Sequence, residues 1–264
     1  MFVSIAAIEI SNRHKNTLRK FNELYVTLHI KYHIILNMTT EIYKTLSYYS
    51  DEEKKIVLPR FFKTGKGQYG EGDKFLGVTV PNIRKVAKSF NNISLDVIEE
   101  LIHSPWHEMR MCALLILVDK SKSEVTKETF DFYLSQTNHI NNWDLVDLSA
   151  PQIVGRYLLQ KNRDILYKLT ESDLLWDNRI SIVSTLTFIR NHDLDDTYNL
   201  SIKMMHHRHD LMHKAIGWML REAGKRDTER LYDFVRDHKA IMPRTMLRYS
   251  IEKFDKETRK ELMK

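Results

Sequence analysis

HEMRMCALLILV, at residues 107–118, is one of five similar segments that decide the fold of this chain. The others are NWDLVDLSA at 142–150, WDNRISIVS at 176–184, HKAIGWMLR at 213–221 and PRTMLRYSI at 243–251. Each opens with polar or charged residues and continues with small and apolar residues at helical spacing. Aligning one polar residue near each start gives spacings of 34, 35, 35 and 34, and the aligned residues are Arg110, Asp144, Arg179, Lys214 and Arg248.

A period of this length, built from two helices per repeat, predicts an all-α fold, an α-solenoid of HEAT-like helical repeats. Neighbouring repeats bury their apolar faces against each other, and the second helix of each repeat lines up with the next. We therefore expect the side chains at the starts of these helices to converge on one concave surface.

The composition agrees with long helices and excludes several other classes. The 264 residues include only 8 Gly and 5 Pro, too few for a sandwich or barrel with many tight turns. With 42% hydrophobic and 29% charged residues, the chain is not intrinsically disordered. A single cysteine, Cys112, excludes an intramolecular disulfide and a thiolate cluster, so a reducing compartment and a cytoplasmic location are expected. No apolar run reaches the roughly 18 to 20 residues of a membrane span.

The chain divides into an N-terminal extension of uncertain structure at 1–40 and a repeat domain at 41–264. Residues 25–35 mix β-branched and aromatic residues without a clear period, so no element is predicted there. Thr39 or Thr40 is a candidate cap for a helix that starts after Met38. Met38 is therefore a hypothetical biological start.

Five of the eight glycines lie between Gly65 and Gly77, which predicts one long loop. The first three match the spacing of a dinucleotide-binding loop, Gly-x-Gly-x-x-Gly. No strand-like run precedes them, the Lys-Ser/Thr of a Walker loop is missing, and acidic residues follow. A structural loop is the favoured interpretation, with nucleotide binding as the alternative.

Four residues of the repeats are candidates for chemistry. Trp143 and Asp147 are four residues apart on a predicted helix and share one face. Arg179 and Trp218 fall on or near the same concave wall. The alternative is that both tryptophans are core residues and that Asp147 caps a helix or pairs with an Arg, and spacing alone favours this packing interpretation.

Two further groups of side chains have weaker signals. The cluster His206, His207, His209 and His213 contains imidazoles that bind transition metals, but without cysteines or ordered carboxylates a solvated stretch is favoured, and no metal or cofactor is predicted. Cations near the repeat starts are either phosphate contacts or an ordinary ion-paired face, and these residues are Arg110, Lys214, Arg244 and Arg248.

Several separated motifs resemble the AlkD-type DNA alkylation repair proteins over roughly residues 41–260. They are FLGVTVPNIRK at 75–85, NNWDLVD at 141–147, WDNR at 176–179, HKAIGWMLREAGKRD at 213–227 and MPRTMLRY at 242–249. The resemblance implies a monofunctional DNA glycosylase that removes cationic N3- and N7-alkylpurines, such as 3-methyladenine and 7-methylguanine, from double-stranded DNA without flipping the base.

The same resemblance assigns roles to individual residues. It makes Asp147 the catalytic carboxylate, Trp143 and Trp218 the walls that flank the lesion, and Arg179 a contact to the DNA backbone, and none of the four is substituted here. The expected partner is double-stranded DNA with alkylated purines. The protein is expected to be a monomer, and no membrane partner is expected. The alternative is a non-catalytic repeat module that binds DNA or a protein.

The formal charge of +6 is not spread evenly along the chain. Residues 1–49 hold six basic and three acidic residues, and residues 239–264 hold eight and four, which leaves 50–238 at −1. Overall basicity therefore says little about the repeat surface. DNA binding must depend on where Arg179 and the cations at the repeat starts point.

Overall fold

The computed structural model describes the backbone from residue 2 and the side chains from residue 24, both to residue 264. Helices account for the regular structure of this part of the chain, beside one isolated bridge between Lys74 and Trp106. They are α1 (Phe2–Tyr48), α2 (Glu52–Phe61), α3 (Val80–Ser89), α4 (Leu95–Ile102), α5 (His107–Lys120), α6 (Lys127–Ser135), a 3₁₀ turn (Thr137–His139), α7 (Trp143–Ala150), a π-helical turn (Pro151–Gly155), α8 (Arg156–Leu158), α9 (Asp164–Leu169), α10 (Leu175–Arg190), α11 (Asp195–Lys203), α12 (Asp210–Gly224), α13 (Thr228–His238), α14 (Arg244–Ser250) and α15 (Lys256–Leu262).

The predicted all-α solenoid is confirmed. Helices α5, α7, α10, α12 and α14 carry the five similar segments, and each of them packs against the next in this order. The intervening helices α9, α11 and α13 pack against α10 and α12, and one continuous hydrophobic cluster runs through the whole stack. Helices α5 and α10 are buried around nearly their full circumference, which is expected of inner helices.

Two glycines allow neighbouring helices of the stack to approach closely. A Cβ atom at Gly155 would lie 2.4 Å from the backbone oxygen of Ser184 on α10. A Cβ atom at Gly217 would lie 2.5 Å from the Cβ of Tyr249 and thus would push α12 away from α14. Glycine at these two sites therefore sets the spacing between the helices that carry the candidate residues.

The N-terminal region differs from the sequence prediction. Helix α1 continues through residues 25–35, where the sequence predicts no element, and through Thr39 and Thr40. The hydroxyls of both threonines donate to the carbonyl of Leu36, at 3.1 and 2.7 Å, so neither residue is a helix cap and that prediction is wrong. Buried Ile42 and Leu46 hold the end of α1 to the body. The division after residue 40 falls inside this helix and stays a prediction.

The glycine-rich stretch is a loop between α2 and α3, as predicted. Buried Glu108 accepts hydrogen bonds from the backbone N–H groups of Leu76, Gly77 and Val78, at 2.9, 2.8 and 3.1 Å. The N–H of Gly67 is bound by Glu71 at 2.7 Å. Since carboxylates of the chain itself take these donors, the structural interpretation of the loop is favoured over a phosphate cradle.

Within the described part of the chain, no helix is both long enough and apolar enough to cross a membrane.

Candidate active site

A groove of about 800 Å³ runs along the starts of α7, α10 and α12 and reaches α14. All four candidate residues, Trp143, Asp147, Arg179 and Trp218, line it. The glycine-rich loop also contributes to the lining of the groove through Tyr69. The predicted convergence of the repeat starts on one surface therefore brings these four side chains together.

The carboxylate of Asp147 and the guanidinium of Arg179 form a two-pronged ion pair. Nε and Nη2 of Arg179 donate to Oδ1 and Oδ2 of Asp147, each at 2.8 Å, and Nη1 donates to the carbonyl of Leu211 at 2.8 Å. The Asp147 side chain is 19% exposed and that of Arg179 only 5%. The pair therefore fixes the carboxylate plane while leaving one side of Asp147 open to the groove.

Two opposing effects act on the pKa of Asp147. Burial raises this pKa above that of an ordinary aspartate, while the charge and hydrogen bonds of Arg179 lower it, and the charge of Asp144 adds to the increase. The balance is a raised pKa, with Arg179 as the group that keeps the carboxylate ionised.

Arg179 is placed differently from the DNA-backbone contact that the resemblance implies. Three of its N–H groups donate hydrogen bonds to the carboxylate of Asp147 and to the carbonyl of Leu211. The Arg179 side chain is therefore committed within the protein, and it is buried. The observed geometry matches the alternative interpretation of the sequence, in which Asp147 forms an ion pair with an arginine. In this structure the two hydrogen bonds from Arg179 fix the orientation of the Asp147 carboxylate.

The two tryptophans of the groove are half-buried, in contrast to Trp176, which is a core residue at 4% exposure. Trp143 stacks on Phe62 with a centroid distance of 5.5 Å and meets the edge of Phe61 at 6.0 Å. Trp218 follows the tightly packed Gly217 on α12. Each indole is thus supported by packing and retains some surface in the groove.

A buried charge network lies beside Trp143, and the sequence does not predict it. Nε2 of His107 is 2.9 Å from Asp144, its Nδ1 is 3.5 Å from Asp73, and Arg110 pairs with Asp73 at 2.7 Å. Asp73 also accepts a hydrogen bond from Asn141 at 3.0 Å. The carboxylates raise the pKa of His107 to about 9 although burial alone would lower it.

This network ties the glycine-rich loop to α5 and α7. Asp73 follows Gly72 directly, and the 107–118 segment begins with polar residues, but sequence spacing does not show that residues 34 to 68 positions apart in the chain meet here.

The other predicted cations occupy different environments. Arg110 is 4% exposed and also donates to the carbonyl of Ser104 at 2.7 Å, so the expectation that it contacts phosphate does not fit its placement. Lys214 lines the groove and pairs with Asp210 at 2.7 Å. Arg244 is exposed and donates to the carbonyl of Met263 at 2.9 Å. Arg248 is exposed, and no side chain among residues 24–264 pairs with it.

The histidine cluster is held by hydrogen bonds within the protein. Nε2 of His207 contacts Asn178 at 3.0 Å, and Nε2 of His213 contacts the carbonyl of His207 at 2.5 Å. His209 caps α12 by accepting the N–H of Leu211 on Nδ1 at 3.1 Å, which leaves its Nε2 as the donor in the neutral ring. No group of three or more metal-ligating side chains is found among the residues that the structure describes.

Comparison with known proteins gives the following findings. A family model described as "DNA alkylation repair enzyme" matches residues 42–254. A solved structure described as a predicted DNA alkylation repair enzyme from Enterococcus faecalis is similar in fold, with a TM-score of 0.63 and 14% identity over 78% of this chain and 97% of the other. No curated protein sequence is similar enough to count as a match.

Proposed function

The chain belongs to the family of DNA alkylation repair enzymes, and we propose that it is a DNA glycosylase that hydrolyses the N-glycosidic bond of N3- and N7-alkylated purines in double-stranded DNA. One observation carries this proposal. A carboxylate, Asp147, faces a groove between two half-buried tryptophans and is held in place by both prongs of Arg179.

The proposed substrate class is one whose cleavage a single carboxylate such as Asp147 can support. Alkylation at N3 or N7 gives the purine a formal positive charge, so the base departs as a neutral molecule when the bond from C1′ to nitrogen breaks. No general acid is required for this departure. The bond electrons go to the base, and the sugar becomes an oxocarbenium-like cation that needs a negative charge close to it.

Asp147 supplies that charge in the proposed mechanism. Its carboxylate is oriented before the reaction, so it stabilises the cation more strongly in the transition state than the neutral sugar in the ground state. Its exposed side also has access to a water molecule, which adds to C1′ and gives up a proton to the carboxylate or to solvent. The products are the free base and an abasic site.

The remaining three residues support this step. Arg179 keeps Asp147 ionised and fixes the plane of its carboxylate. The faces of Trp143 and Trp218 carry negative electrostatic potential and hold a cationic base or sugar, each by about 0.5 to 2 kcal/mol. Because Asp147 lies on the wall of a groove, we propose that it reaches the sugar from outside the duplex, without flipping the base. We also propose that the enzyme acts as a monomer in the cytoplasm.

The experiment is release of 7-methylguanine from methylated duplex DNA by the wild type and by Asp147→Asn. We expect a loss of about 10²- to 10³-fold, the size seen when one preorganised charge-stabilising group is removed. The matched control is Asp210→Asn, which alters another carboxylate that lines the groove. Thermal unfolding of each variant shows whether the fold is kept.

The result has three clear outcomes. Loss of activity in Asp147→Asn with activity kept in Asp210→Asn supports the proposal. Equal activity in the wild type and Asp147→Asn contradicts the role of Asp147. A wild type that binds duplex DNA but releases no base contradicts the glycosylase and favours the non-catalytic module.

A further inference from the structure

We propose that the cleft between the last two helices, α14 and α15, binds the phosphate backbone of duplex DNA beside the groove. This cleft has a volume of about 610 Å³. The proposal rests on the proposed function only in taking duplex DNA as the partner, and it does not depend on base release.

The first observation is the charge of the cleft. Four cations line it, Arg248, Lys256, Arg259 and Lys260, against one carboxylate, Glu252. Glu252 already pairs with Arg221 and lies 3.4 Å from Lys253, so it does not neutralise the four. All four cations are exposed, and within residues 24–264 no side chain forms an ion pair with any of them.

The second observation is the contrast with the groove. There, Arg179 pairs with Asp147, Lys214 with Asp210 and Arg221 with Glu252. Of the cations that line the groove, Lys63 alone has no ion pair with residues 24–264, so most of their charge is compensated by the protein itself. A DNA backbone needs uncompensated cations that release condensed counterions when they meet phosphates. The cleft has four of them side by side.

The third observation is continuity. Tyr249, on α14, lines both the groove and the cleft, and Arg248 precedes it on the same helix. A strand whose sugar lies at Asp147 and whose backbone continues past Tyr249 therefore meets Arg248 and then the cations of α15. A partner with regularly spaced phosphates fits this arrangement, and the contacts would position the duplex without reading its sequence.

The test measures binding of unmodified duplex DNA at a series of salt concentrations by the wild type and by the double variant Arg259→Gln/Lys260→Gln. The matched control is Lys120→Gln/Arg190→Gln, which also removes one lysine and one arginine. Lys120 and Arg190 are exposed at the far ends of α5 and α10, and their side chains have no ion pair with residues 24–264. Circular dichroism and thermal unfolding verify that each variant is folded.

Each phosphate that the protein ceases to neutralise makes the slope of log K against log salt shallower by about 0.9. We expect the slope of the cleft variant, which lacks two cations, to be shallower by about 1.8 than that of the wild type, and the slope of the control to be unchanged. Base release by the control variant should stay within about twofold of the wild type, since neither Lys120 nor Arg190 lines the groove or the cleft.

An unchanged slope in the cleft variant overturns the proposal, and so does an equal change in the control. These outcomes are separate from those for the glycosylase. A chain that releases no base but shows the expected slopes refutes the catalytic proposal alone, while normal base release with unchanged slopes refutes the cleft alone. A wild type that does not bind duplex DNA refutes both.

Discussion

Raising the pH from 6 to 10 should destabilise the folded protein through one buried residue, His107. Its imidazole is 2% exposed and packs against the rings of both Phe62 and Phe75, at centroid distances of 4.9 and 4.8 Å. Asp144 on α7 and Asp73 in the glycine-rich loop face its two nitrogens. The charged ring is therefore held by two carboxylates from different parts of the fold.

The magnitude follows from the pKa of His107, which is about 9 in the folded state against 6.5 for an ordinary histidine. Arg110 on the same helix opposes this increase, and the two carboxylates exceed its effect. Because the folded-state pKa is raised, the stabilisation is complete below pH 6.5 and is lost as the pH rises through 9. A difference of this size corresponds to about 3 kcal/mol of unfolding free energy.

The assay is urea unfolding at pH 6, 7, 8, 9 and 10 for the wild type and for His107→Gln. The unfolding free energy of the wild type should decrease by about 3 kcal/mol more than that of the variant across this range. If His107→Gln does not fold, Asp144→Asn provides the test, since loss of this carboxylate lowers the pKa of His107 and moves the decrease to lower pH. Parallel pH curves for the wild type and a folded variant would refute a charged, carboxylate-bound His107.

The remaining predictions concern the groove. Arg179→Gln should raise the pKa of Asp147 further, so the acid limb of the pH profile of kcat/KM for base release moves to higher pH, and an unmoved limb would contradict the positioning role. Trp218→Ala should lower kcat/KM for base release about 2- to 30-fold, while Trp218→Phe should retain most of the activity, because an aromatic face is the property required. Equal losses in the two variants would show that Trp218 acts through packing and not through its aromatic face. Gly217→Ala should lower the unfolding free energy by about 1 to 3 kcal/mol in urea titration because its Cβ meets Tyr249, whereas no loss would show that α14 moves without cost.

The architecture is predictable because it repeats. A spacing of 34 or 35 residues between polar helix starts specifies both the helix pairs and the surface on which those starts meet. Helix α7 includes both Trp143 and Asp147, so the two residues lie one turn apart on the same face, as the sequence predicts. The N-terminal helix is not predictable in this way. Thr39 and Thr40 satisfy the rule for a helix cap, but a threonine inside a helix can equally bond back to a carbonyl, and only packing decides between the two.

The candidate site is predictable in its members but not in its internal pairing. Sequence spacing places Asp147 and Arg179 on one wall, and the same spacing fits both an arginine that faces DNA and an arginine that faces the carboxylate. The side chains of Arg179 and Arg110 are long enough to reach either solvent or a neighbouring repeat. Which direction they take depends on acceptors that lie 32 and 37 residues away along the chain.

The five aligned positions show why the cations at the repeat starts are not interchangeable. Arg110 and Asp144 are used in ion pairs that join the loop, α5 and α7, and Arg179 joins α10 to both α7 and α12. These three side chains serve the contact between one repeat and its neighbour, whereas the aligned Lys214 pairs with Asp210 within α12. Arg248 occupies the same position on α14, where no further repeat of this kind follows in the described chain, and it has no ion pair with residues 24–264. A position that joins neighbouring repeats at three places in the stack thus carries an exposed cation on α14, beside the cleft cations Lys256, Arg259 and Lys260.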